Sequence, residues 1–196
     1  MVYDSSYEIH EEIANLLGFE SKDEFWDYLG EHFFGTKSSF YDYIDSLIKQ
    51  RDVPEETLDK IKSLWEKTKV NVNIFPDTTK TLERLSKKYR LVLLSNTAEK
   101  EGMEAVERYG LEEYFDEIIL SGSVGLAKPD PRIFKIVLDK MNVNPEQVLV
   151  VGDNLETDII PARTLGMKGI LIDTKKRYTE YQNEDWYIQS LNEFKL

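Results

Sequence analysis

The chain has 196 residues, 41% of them hydrophobic and 32% charged, with a formal net charge of −12, the balance of a globular protein of one domain or a domain with a small insert. So acidic a chain repels nucleic acid and anionic membranes unless it carries a basic patch, and its only basic clusters, KKYR (87–90) and KKR (175–177), read as solvated faces. With no cysteine and only His10 and His32, the sequence excludes disulfides, zinc–thiolate sites, a cysteine nucleophile and an HExxH or histidine-cluster metal site.

The first seventy residues repeat apolar side chains at helical spacing. In YEIHEEIANLLGF, Ile9, Ile13, Leu16 and Leu17 form one stripe and Gly18 is the stop. In SKDEFWDYLGEHFF, Ser21 and Glu24 make a capping-box pattern ahead of Phe25, Trp26, Leu29 and Phe33. FYDYIDSLIKQ repeats the stripe with Phe40, Tyr43, Ile44 and Leu47. VPEETLDKIKSLWEKT opens with Pro54 near a first turn and carries Leu58, Ile61, Leu64 and Trp65. The aromatic residues Phe25, Trp26, Phe33, Phe34, Tyr41 and Tyr43 could line a pocket, but their spacing favours core packing. This half is expected to be four helices without a strand. No apolar run approaches the length of a membrane span, and MVYDSSYEIHEE has no signal-peptide core, so the chain is expected in the cytoplasm.

Past NIFPDT (73–78) the pattern changes to alternating strands and helices. TTKTLERLSKKY reads as a helix, LVLLSN (91–96) as a buried strand, EKEGMEAVERYG as a helix stopped by Gly110, and DEIILSG as a strand. DPRIFKIVLDKM is a helix with Asp130 as N-cap and Pro131 in its first turn. QVLVVGD and KGILID are strands around the helix ETDIIPARTLG, and DWYIQSLNEFKL adds a short strand and a last helical turn. The alternation predicts an α/β fold, a three-layer Rossmann-like parallel sheet over residues 75–196, joined to an α-helical module over 1–74.

In such sheets ligands bind beyond the carboxyl ends of the strands. LVLLSN brings Ser95 and Asn96 to that edge, LVVGD brings Asp153, and SVGLAKPDP brings Lys128. Asp153 follows Gly152, which lets backbone and ligand approach closely, and a carboxylate there suits Mg²⁺, which takes one or two protein carboxylates. Asp158 falls in the first turns of the next helix, where it could orient a metal-bound water or a neighbouring side chain. A plain turn acid and a dipole-stabilised helix acid are the bland alternatives, and GDNxxTD after LVV favours the site. Lys128 precedes Pro129, which forces an extended backbone and projects the ammonium toward a crowded anionic pocket. Ser95 can donate its hydroxyl to a phosphate oxygen, and Asn96 with Glu99 also resembles a helix cap.

These segments resemble, in order, three motifs of the haloacid dehalogenase superfamily of hydrolases: LVLLSNT, AKPDPRIF and VVGDNLETDIIPARTLGM. The resemblance covers about 120 residues of the α/β half. Residues 1–74 are similar in size and placement to the mobile helical cap of many members. The resemblance implies attack on phosphorus by an aspartate, protonation of the leaving group by a second acid two residues later, and hydrolysis of the acyl phosphate. It implies that Ser95 and Asn96 bind the phosphoryl group, Lys128 stabilises the nucleophile and the intermediate, Asp153 binds Mg²⁺, and Asp158 supports the metal site. The substrate would be a small phosphorylated metabolite, with neither nucleic acid nor membrane as partner and a homodimer possible. A 2-haloacid dehalogenase, which needs no magnesium, and a non-catalytic pseudoenzyme acting through its cap are the alternatives.

One motif of that family is missing. An apolar strand ending in DxDGT should carry the nucleophile and the acid, and the sequence contains none. MVYDSSYEIHEE is similar to the stretch that follows it. Asp4 is a poor substitute, because only three residues precede it, too few for a strand, and Ser6 replaces the second acid. The missing strand would lie between those ending at Asn96 and Asp153. The chain is therefore expected to be an incomplete version of a longer protein and to lack turnover as it stands. Direct pairing across the gap, or a strand borrowed by swapping, are the other ways to satisfy the exposed backbone.

Overall fold

The computed structural model describes residues 2–4 and 6–194, the side chains of 2–4 and 70 excepted. Contacts group the chain into two units: Met1–Phe75 with Leu94–Glu113 and Leu120–Gly125, and Pro76–Leu93 with Tyr114–Ile119 and Leu126–Leu196.

The first unit contains the four expected helices, α1 (Tyr7–Leu16), α2 (Lys22–His32), α3 (Phe40–Gln50) and α4 (Thr57–Asn71). Local chemistry starts two of them. Ser21 Oγ accepts from the Glu24 N–H and Ser39 Oγ from the Asp42 N–H, each relieving an orphan donor of a first turn. The box at Ser21 is displaced by one residue, since Glu24 Oε2 accepts from the Glu20 N–H instead of that of Ser21. Pro54 precedes α4 in a turn whose carbonyl accepts from the Thr57 N–H, three residues later than the first helical turn expected from the sequence.

The helices bury one continuous stripe of Ile13, Leu17, Phe25, Leu29, Phe33, Phe40, Ile44, Ile61 and Trp65, with Phe40 stacked on Trp65 at 3.6 Å between ring centres. Each such side chain contributes about 1.5–3 kcal/mol on burial, which outweighs modest helix propensity. Of the aromatic residues weighed as pocket or core, Phe25 and Phe33 are buried, while Trp26, Phe34, Tyr41 and Tyr43 pack partly buried against the same cluster. No helix among the described residues is long and apolar enough to cross a membrane.

The expectation of a strandless first half fails. Val2–Asp4 forms β1, which pairs antiparallel with β2 (Val72–Ile74), Val2 opposite Ile74 and Asp4 opposite Val72. Three residues suffice for a strand when a partner 70 positions away supplies the hydrogen bonds, and no periodicity can reveal so short a segment. The side chain of Asp4 lies outside what the structure describes. This unit also holds α6 (Glu99–Arg108) and the short α7 (Ser121–Val124).

The second unit contains α5 (Thr78–Ser86), and the division between the units falls within two strands that pair with each other, β3 (Val92–Ser95) and β4 (Glu117–Leu120). The second unit adds α8 (Pro131–Met141), α9 (Ile160–Thr164) and a parallel three-stranded sheet of β5 (Leu149–Gly152), β6 (Lys168–Ile172) and β7 (Tyr187–Ile188). Asp130 caps α8 as expected, its carboxylate accepting from the Arg132 N–H. The protein is thus a mixed α/β fold with parallel strands. Among the described residues β3 and β5 lie in different sheets, so direct pairing across the expected gap does not occur.

Candidate active site

The parallel register sets the geometry. Gly152, the last residue of β5, lies opposite Leu171 near the end of β6, so Asp153 and Asp173 emerge at the same carboxyl edge. Beyond Asp153 the chain does not enter an ordinary helix. Leu155–Ile159 is a π-type turn, with the N–H groups of Ile159 and Ile160 bonded five residues back to Asn154 and Leu155. Asn154 caps it, its Oδ1 accepting from Glu156 and Thr157 N–H. Pro161, just inside α9, has no N–H and crowds the carbonyl four residues before it, which widens the preceding turn.

That turn carries Asp158 back over Gly152. Asp158 is only 4% exposed. Its Oδ1 accepts from Lys128 Nζ at 2.5 Å, and its Oδ2 from the Asn154 N–H at 3.1 Å. A Cβ built at Gly152 would lie 2.5 Å from both the Cβ and Oδ2 of Asp158, so any residue but glycine would expel the carboxylate. The lysine is also largely buried. Two opposite charges removed from water hold one another firmly, and loss of either would leave the other uncompensated.

Asp153 is different. Its side chain is 68% exposed, and Arg177 Nη2 donates both to its main-chain oxygen at 2.5 Å and to Oδ2 at 3.0 Å. Arg177 belongs to the loop after β6, whose anchor is Asp173. That carboxylate is 1% exposed and accepts from the Arg177 and Tyr178 N–H groups at 2.9 and 2.8 Å and from the Tyr187 hydroxyl at 3.0 Å. Burial pushes the Asp173 carboxyl up, but the hydrogen bonds outweigh it and hold the group below the usual carboxylate range. For Tyr187, burial and the neighbouring Asp173 raise the phenol against a lowering bond from Gln189.

Ser95 closes β3 and Asn96 follows it, both in the first unit. Asn96 is not the cap that its spacing to Glu99 suggests: α6 starts after Ala98, whose side chain can cap nothing. The segment is instead tied down through Thr97, whose N–H donates to Ser121 Oγ at 2.9 Å and whose carbonyl accepts from Gly122 N–H at 3.0 Å. Of the sequence candidates, Lys128, Asp153 and Asp158 gather in the second unit. Asp173 and Arg177 were missed. KGILID ends a strand on an acid just as LVVGD does, so a signal for Asp173 existed. Arg177 sat in a basic cluster read as a solvated face, and Lys175, Lys176 and Arg177 are all exposed, but that reading gave no sign that the guanidinium bonds Asp153.

The donor set suits Mg²⁺, a hard cation that takes one or two protein carboxylates and completes its shell with water and substrate oxygens. Among the described residues no three His, Asp or Glu side chains gather as a closed metal cage. Asp153 offers an accessible carboxylate, whereas both oxygens of Asp158 are engaged, which suits orientation more than direct ligation.

The sequence profile of haloacid dehalogenase-like hydrolases matches residues 3–172. A glyceraldehyde 3-phosphate phosphatase of Methanothermobacter thermautotrophicus is 40% identical over 102 residues, 52% of this chain and 45% of that enzyme. The mouse N-acylneuraminate-9-phosphatase is 37% identical over 106 residues, 54% of this chain and 43% of that enzyme. The matches thus span less than half the length of these curated relatives. A phosphatase of this family from Thermococcus onnurineus has a similar structure, with TM-score 0.63 and 28% identity, over 96% of this chain and 85% of that one. A Bacteroides thetaiotaomicron family enzyme in complex with magnesium and inorganic phosphate, 20% identical with TM-score 0.67 over 92% of each chain, shares the fold. With the match covering most of its length, the chain belongs to the haloacid dehalogenase-like hydrolase family.

Proposed function

We propose that the chain carries the site of a magnesium-dependent phosphatase acting on a small phosphorylated metabolite. The observation that supports this most is the buried Lys128–Asp158 pair, seated against Gly152 beside the accessible Asp153 carboxylate. The phosphatases among the relatives add support. On this reading Asp153 holds Mg²⁺, and Asp158 supports the metal site through the Asn154 backbone. When bound, the cation supplies Lewis-acid polarisation and neutralisation of phosphoryl charge. Lys128, held in place by its bond to Asp158, stabilises negative charge on the attacking group and the phosphoryl oxygens. Ser95 donates its hydroxyl to a phosphoryl oxygen, with Asn96 beside it. Residues 1–74 serve as the helical cap that selects the substrate, and 75–196 as the Rossmann-like core.

A second reading has one observation in its favour. The 196 residues contain no DxDGT sequence, which suits a non-catalytic binding protein. Hydrolysis of p-nitrophenyl phosphate separates the readings, tested on the 196-residue chain and on the same chain with an apolar strand ending in DxDGT placed ahead of it. The phosphatase reading expects EDTA-sensitive turnover once the strand is present. Silence in both proteins supports the binding protein, and EDTA-resistant halide release from a 2-haloacid would make it a dehalogenase.

A further inference from the structure

The geometry points to Arg177 as a built-in counter-ion of Asp153 that a divalent cation must displace, so that the loop after β6 sets the metal affinity of the site. This inference rests on the magnesium reading above and concerns a residue outside the three motifs.

An exposed arginine–aspartate pair is ordinarily weak, because two free side chains must be ordered and water screens them. Here the loop does the ordering. The Arg177 and Tyr178 N–H groups are both fastened to the buried Asp173 carboxylate, which the Tyr187 hydroxyl braces from β7. Tyr178 packs against the apolar cluster of Ile159, Leu171 and Tyr187, and its hydroxyl lies 3.5 Å from the Leu155 N–H. The backbone that carries Arg177 is therefore fixed to the same elements that carry Asp153.

The second feature is the double bond from Nη2. Its contact with the main-chain oxygen of Asp153 survives rotation of the carboxylate, so the guanidinium stays beside the site whatever the side chain does. A cation arriving at Asp153 then meets one of two costs. Either the carboxylate turns away and loses the arginine, or it is shared and two positive charges face each other. Both weaken binding. Removing the guanidinium should tighten Mg²⁺ by roughly two- to fivefold, the range set by an exposed ion pair.

The test is a Mn²⁺ titration of the 196-residue chain by electron paramagnetic resonance, with Mg²⁺ as competitor. Wild type, Arg177→Gln, Arg177→Lys and Asp153→Asn are compared. Arg177 is exposed enough for its variants to fold, and circular dichroism verifies that they do. Expected are tighter binding in Arg177→Gln, an intermediate value in Arg177→Lys, and loss in Asp153→Asn. The advantage of Arg177→Gln should shrink in about 0.5 M salt, where charges a few ångströms apart are already screened. Equal affinity in wild type and Arg177→Gln, with Asp153→Asn still abolishing binding, overturns the inference and leaves the metal reading standing. Weaker binding in Arg177→Gln overturns it too, and makes the arginine a support for the metal. Failure of every protein to bind either ion removes the metal reading and the inference with it.

Discussion

Asp173 gathers three donors in a place almost closed to water, and each bond to an ionised carboxylate is worth about 1.5–3 kcal/mol. Asparagine there would keep one acceptor and turn an amide toward the donors it displaces. Asp173→Asn should therefore lower stability by about 2–3 kcal/mol at pH 7, measured by urea unfolding. The pH dependence has a definite sign. The folded-state pKa lies below the unfolded value near 3.9, so the stabilisation is fully present above that value and disappears as pH falls through the folded one. The gap between wild type and Asp173→Asn should narrow below about pH 4. A gap that stays constant down to pH 3 would mean that the charge is not what holds the loop. Lys128, Asp153 and Asp158 were legible as residues because strand-end acids and a lysine before proline stand out locally. Their partnerships were not, since Lys128 and Asp158 are 30 positions apart and Asp153 and Arg177 are 24.

The elements split in the same way. Helices α1 to α4 and the caps at Ser21 and Asp130 lie within stretches whose spacing and first-turn chemistry reveal them, whereas the cap at Ser39 was not read from the sequence. The π-type turn at Leu155–Ile159 was read as plain helix, although Pro161 was in view, because a proline is equally at home in the first turn of an ordinary helix. Asn154 is the cap that starts this turn. Asn154→Ala should cost about 1 kcal/mol, whereas Asn154→Gly should cost only a few tenths. Thermal melts of the two variants provide the measurement, and equal losses would show that the side chain does not cap. Strands β1 and β2 were missed because three residues carry no period, and pairing across 70 residues is a long-range event.

At the level of the whole molecule, a ligand that binds only the folded chain must raise its stability. With Mg²⁺ at tenfold its dissociation constant, the gain is about 1.4 kcal/mol, or about 3–6 °C in Tm for a chain of this size. Differential scanning calorimetry should show the rise, its reversal by EDTA, and its absence in Asp153→Asn. A Tm indifferent to magnesium in the wild type would count against the metal site. The single parallel sheet expected over 75–196 is, among the described residues, two smaller sheets, β3–β4 and the parallel β5–β6–β7. By itself the sequence determined most helices, most strands and the chemical types at the site, though not the short α7, whose first two residues were read as the end of a strand. Periodicity, capping and turn chemistry are written within a few residues of one another, so they can be read without coordinates. Only the tertiary structure decided that Lys128 and Asp158 lock together against Gly152, and that the loop anchored by Asp173 presses Arg177 onto Asp153. Those contacts depend on loop closure and on the register between parallel strands, which join residues far apart in the chain and leave no local pattern.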